Sequence, residues 1–161
     1  MKDRRYMVGF AVLFAGAALA AEPQIRLTPQ EITALATGPA AVPRQGPKQV
    51  VLNGDPSQPG IYSVQVTIPA HTTVPPHTHR DDRAVYVVSG TLYVGYGEKR
   101  DEAALKQLPA GSYYTEPAAT AHYTETHDEP VVVLITGAGP SDTHLIGAPA
   151  AGPAAGAPAG K

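Results

Sequence analysis

Six histidines, at positions 71, 77, 79, 122, 127 and 144, stand in a chain of 161 residues that has no cysteine. Two of them are spaced for shared work. In Pro75-Pro76-His77-Thr78-His79 one residue separates the two imidazoles, and on an extended strand residues two apart point to the same face. Neutral imidazole is a ligand for Fe, Zn, Cu, Ni and Mn, so such a pair on an inward face can share one divalent ion. The same spacing also suits two solvated polar residues on a half-buried strand. Taken alone it leaves both readings open.

The elements that would position these residues are short and β-rich. Gln49 to Leu52, Ile61 to Ile68, Ala84 to Val88, Thr91 to Tyr96, Tyr113 to Glu116 and Val131 to Thr136 read as strands. Asn53-Gly54-Asp55-Pro56, Pro59-Gly60, Pro75-Pro76, Ser89-Gly90, Pro109-Ala110-Gly111 and Pro117 punctuate them as turns. Many short strands at close spacing predict an all-β sandwich or barrel. A helical turn or two is expected at Asp101 to Leu108, crossing between the halves. Near the start, Thr28-Pro29-Gln30-Glu31 has an N-cap residue, Pro at the first helical position and an acid in the first turn, and Gly38-Pro39 stops the short helix it predicts.

The two ends read differently. Lys2, Arg4 and Arg5 precede the apolar run Met7 to Ala20, which closes on Ala18-Leu19-Ala20. That is the layout of a cleaved secretory signal, and the run is shorter than the ~20 residues a membrane span needs. The chain without residues 1–20 has 9 bases and 13 acids, a net charge of −4. Gly147 to Lys161 is almost wholly Ala, Pro and Gly and is expected to be a disordered tail. The expected organisation is a signal peptide over 1–20, an N-terminal segment and linker over 21–47, a barrel over 48–146 and the tail over 147–161. No Lys/Arg stripe points to nucleic acid, and no membrane association is expected after signal cleavage. The expected location is secreted or periplasmic. A fold that uses no disulfide there rests on its core, with a metal as a second source of stability.

Two longer patterns enclose the histidines. His77-x-His79-x3-Arg83-x6-Gly90 resembles the first cupin motif, and Gly111-x5-Pro117-x-Ala119-x2-His122-x3-Thr126 resembles the second. The chain is thus similar to a small single-domain cupin over about residues 50–140. The resemblance implies a double-stranded β-helix, or jelly-roll barrel. It also implies that His122 meets His77 and His79 at the barrel mouth, as ligands of one divalent transition metal: Fe first, with Zn, Mn, Ni and Cu as alternatives. A homodimer is within the range of the family.

This sequence departs from the motifs at four places. His71 and Ala119 stand where the family has glycine, Thr126 stands for its Asn, and Arg83 replaces the glutamate that would be the fourth ligand. A guanidinium is donor-only and always charged, so it cannot coordinate a cation. Three readings stay open. The site is a three-His site, as in the thiol dioxygenases of the superfamily, with Arg83 anchoring an anionic substrate; or Asp81 or Asp82 supplies an oxygen ligand; or the pocket binds an organic molecule without metal. Glu116 is a further candidate ligand, and a surface ion pair of Arg83 with Asp81 or Asp82 is the plainer alternative for the arginine. His71, His127 and His144 are expected to be exposed. The function expected is that of an exported metal-binding cupin, a dioxygenase-like mononuclear oxidoreductase acting on a small organic acid or thiol. The alternative is a non-catalytic periplasmic module that binds a small molecule or uses metal structurally. An isomerase or lyase ranks third.

Overall fold

The computed structural model describes residues 24–37 and 46–147. The expected signal peptide, linker residues 38–45 and nearly all of the Ala/Pro/Gly tail lie outside the described residues. The helix α1 spans Pro29–Thr37. Thr28 N donates to Glu31 Oε2 at 2.7 Å and Glu31 N donates to Thr28 Oγ1 at 3.3 Å, the reciprocal capping box that the Thr-x-x-Glu spacing favours. The helix buries no residue, and no described helix is long and apolar enough to cross a membrane.

Ten strands follow among the described residues: β1 (Lys48–Asn53), β2 (Gly60–Ile68), β3 (Thr73–Thr78), β4 (Arg83–Ser89), β5 (Thr91–Tyr96), β6 (Lys106–Pro109), β7 (Tyr113–Glu116), β8 (His122–Thr126), β9 (Val131–Gly139) and β10 (His144–Leu145). They form two antiparallel five-stranded sheets, β1-β2-β9-β4-β7 and β10-β3-β8-β5-β6. The expected helical stretch at 101–108 is a 3-10 turn at Glu102–Ala104, with Asp101 as its cap, followed by β6. Pairing of β6 with β5 puts Leu108 opposite Leu92 and buries both, and that burial overrides local helix preference. Pro75-Pro76, expected as a turn, lies inside β3. The register with β8 shifts between Val74 and His77, so neither proline has to supply a ladder hydrogen bond there.

Alternation along the strands divides the interior lengthwise. Val85 and Val87 of β4, Leu92 of β5 and Val131 and Val133 of β9 are buried and form one end of the core. Each contributes about 1.5–3 kcal/mol by leaving water. Followed along the same inward faces, the side chains turn polar. Val87 and Val85 lead to Arg83, Thr126 and Thr124 lead to His122, and Ile135 leads to Gly137. Two facing rows result. One sheet presents Tyr62, Gly137, Arg83 and Glu116 on adjacent strands, and the other presents His122 paired with His77.

Candidate metal centre

His77, His79 and His122 are buried, and their ring centroids lie 4.3–5.1 Å apart. Each ring is fixed through Nδ1. His77 Nδ1 is 2.8 Å from Pro75 O, His79 Nδ1 is 2.6 Å from Asp142 O, and His122 Nδ1 is 3.2 Å from Thr120 O. A carbonyl oxygen only accepts, so each Nδ1 must carry the proton and donate. In the neutral ring this leaves the Nε2 lone pair free, which is the tautomer a metal needs. Burial lowers His77, and it brings His79 down to about 4, so both are neutral at ordinary pH. His122 Nε2 is buried and has no hydrogen-bond partner. The three ligand nitrogens lie within 4.8 Å of one another. Ligands of one tetrahedral ion with ~2.1 Å bonds lie ~3.4 Å apart, so the rings enclose one ion by drawing together by at most ~1.4 Å. The donor set and the orphaned nitrogen fit a metal.

The opposite row supplies charge. Glu116 Oε1 lies 3.4 Å from His122 Nε2, and its Oε2 lies 3.5 Å from His79 Nε2 and 3.7 Å from Arg83 Nη1. Burial works to raise this carboxyl, but His122, His79 and Arg83 outweigh it and hold it at about 2. Of the three, only Arg83 is charged at every pH; His79, neutral down to about 4, adds to that field only in acid. Tyr114 donates to Glu116 Oε1 at 3.0 Å, whereas Oε2 is buried without a hydrogen-bond donor.

Arg83 is not a surface residue: 12% of its side chain is exposed. It lies on the inward face with Val85 and Val87, donates to Ser141 Oγ and to Asp142 O, and sits 3.4 Å from Asp81 Oδ1. Asp81 in turn accepts from Tyr62 at 2.7 Å and from Ser141 at 2.7 Å. Burial works to raise Asp81, yet Tyr62, Ser141 and Arg83 together hold it below the usual carboxylate range. Asp82 is exposed and caps Ala118 N at 2.8 Å. Both aspartates, expected as alternative oxygen ligands, thus have other partners, and the potential ligands that cluster among the described residues are His77, His79 and His122. Beside Arg83 opens a cavity of about 200 Å³, lined among others by Gln49, Tyr62, Ser141 and Asp142. Asp142 and Arg83 line this cavity, and they also contact His79 and Glu116 respectively.

The comparisons with known proteins agree with this fold. Residues 64–137 match the family described as Cupin domain. Over that stretch the barrel is similar to a cupin domain. A solved structure, that of the polyketide cyclase RemF from Streptomyces resistomycificus, superposes with a TM-score of 0.62 at 14% identity, covering 80% of this chain and 89% of that one. An uncharacterized conserved protein with a double-stranded β-helix domain from Klebsiella pneumoniae gives 0.53 at 17% identity, covering 65% and 88%. The DMSP lyase DddQ from Ruegeria pomeroyi gives 0.51 at 20% identity, covering 72% of this chain and 56% of that one. At these identities the likeness is one of fold. No curated protein matches this chain.

The cupin motifs bring His122 to His77 and His79, as the resemblance implied. His71 and His144 are exposed, and His127 stacks on Tyr93 at 3.9 Å with 51% of its side chain exposed. His71 and Ala119, the two departures from motif glycine, are the described non-glycine residues with positive φ, 54° and 57°. Both thus adopt the left-handed conformation that favours glycine. The sequence signal missed for Glu116 was its parity: Tyr114 and Glu116 share a face, and the partly buried tyrosine shows which face is inward.

Proposed function

We propose that this protein is an exported cupin, holds one divalent transition-metal ion on Nε2 of His77, His79 and His122, and acts as a dioxygenase-like oxidoreductase on a small organic molecule. One observation carries the metal reading: three buried imidazoles have Nδ1 committed to carbonyl oxygens, which leaves Nε2 as the free nitrogen of each, and their ligand atoms lie within 4.8 Å of one another. Bound iron would supply the redox chemistry. The barrel's own work is to fix the rings, exclude water and admit the substrate. A cavity of about 200 Å³ beside Arg83 suits only a small ligand, since drug-sized ligands occupy ~300–1,000 Å³. Oxygen uptake by iron-loaded protein with a panel of thiols and small carboxylic acids tests the activity. Consumption that requires both iron and one compound class supports it, and none with any compound removes it.

A second reading has its own support. Arg83 already faces Asp81 and Glu116, so it has little charge to spare for the anionic substrate that it was expected to anchor. A binding module, or a metal-stabilised structural one, does not need that anchor. Cupin folds carry unrelated activities, and fold alone does not choose between them. If Arg83→Lys leaves the binding of carboxylates and of neutral analogues equally unchanged, arginine is not the anchor.

A further inference from the structure

The residue that replaces the motif glutamate has a direct cross-strand partner, and that partner is a glutamate. Arg83 on β4 pairs in register with Glu116 on β7, both side chains pointing inward. From there the Glu116 oxygens lie 3.4 and 3.5 Å from His122 Nε2 and His79 Nε2. A tetrahedron of ligands with ~2.1 Å bonds has edges of ~3.4 Å, so these separations suit ligands of one ion. We propose that Glu116 is the fourth ligand: the carboxylate has moved one strand over, from β4 to β7, and Arg83 is a positioning residue that holds it there. The inference rests on the three-His metal reading above.

Two further observations carry it. With Nδ1 held 3.2 Å from Thr120 O, His122 aims Nε2 at a carboxylate oxygen of Glu116 only 3.4 Å away. Both atoms are buried, and one cation held between them would engage the imidazole nitrogen and the carboxylate oxygen together. Glu116 Oε2 and His122 Nε2 are also both buried without hydrogen-bond partners, and a metal satisfies both at once. The surroundings fix the carboxylate for that role. Tyr114 holds Oε1, Arg83 lies on the Oε2 side, and Arg83 is itself anchored by Asp81, Ser141 and Asp142 O. Nothing in this arrangement requires Arg83 to touch the ion.

Cobalt(II) titration of the full mature chain, read by visible absorbance, tests the proposal. Wild type should bind one equivalent with a four-ligand spectrum. Glu116→Gln keeps the side-chain size and should bind at least ~100-fold more weakly with an altered spectrum, since losing even an outer partner of a ligand costs 10–100-fold. His122→Ala should lose binding outright. Should Glu116→Gln match wild type in affinity and spectrum while His122→Ala fails to bind, Glu116 is not a ligand and the three-His reading stands. If wild type itself takes up no cobalt or zinc, both ideas fall. Infrared difference spectra of wild type on adding zinc need no variant: a shift of a buried carboxylate stretch supports the assignment, and its absence overturns it.

Discussion

The guanidinium of Arg83 lies 3.4 Å from Asp81 and 3.7 Å from Glu116, so Arg83→Ala leaves two buried carboxylates without their counter-charge. Breaking a buried pair from one side typically costs 3–5 kcal/mol. Tyr62 and Ser141 still donate to Asp81, which places the expected loss near the lower figure, about 3 kcal/mol in urea unfolding of the metal-free protein. A change under 0.5 kcal/mol would mean that the side chain behaves as a surface residue. The inward orientation was legible in the sequence, because Arg83 shares parity with Val85 and Val87. Its partners were not, since Ser141 and Asp142 lie 58 and 59 residues away along the chain. The histidine pair was legible for the same reason of parity, and His122 came from the motif. The Nδ1–carbonyl bonds that select the tautomer depend on backbone that no spacing rule reports.

Among the elements, the loop from Pro117 to His122 keeps a strained residue beside the site. Ala119 has φ 57° and donates from its backbone N to His79 O at 2.7 Å. The left-handed conformation costs a non-glycine residue about 1–2 kcal/mol, and glycine's extra chain entropy offsets roughly half of that. Ala119→Gly should therefore stabilise the barrel by about 0.5–1 kcal/mol in chemical unfolding, and destabilisation would contradict the account of this loop. Gly137 is the opposite case. A Cβ there would sit 2.6 Å from both Asp81 Oδ2 and the Tyr62 hydroxyl. Gly137→Ala should cost about 1–3 kcal/mol, as overpacking does, and should displace the Asp81–Tyr62 contact that supports Arg83. A crystal structure of the variant with that contact unmoved would count against this role. Strands with plain alternation, such as β2, β4, β5 and β9, were readable from sequence. β3 was not, because Pro75-Pro76 signals a turn unless the local shift in pairing with β8 is known. Nor was β6, whose four residues owe their conformation to pairing with β5.

For the whole molecule, two five-stranded sheets enclose an apolar end and a polar end, and the polar end concentrates three imidazoles, two carboxylates and one guanidinium. An ion that binds only the folded barrel stabilises it by mass action, about 2.7 kcal/mol at a hundredfold excess over Kd. For a domain of this size that is a rise in Tm on the order of 10 °C, so chelator treatment should lower Tm by that amount and added metal should restore it. The claim beneath all of this is that native protein carries an ion at His77, His79 and His122. Elemental analysis of the protein isolated from its own host, without added metal, tests it most directly. The account predicts close to one equivalent of a divalent transition metal in wild type and in His127→Ala, and little in His122→Ala. Equal metal content in all three proteins, or a wild type that stays metal-free when titrated, would contradict it.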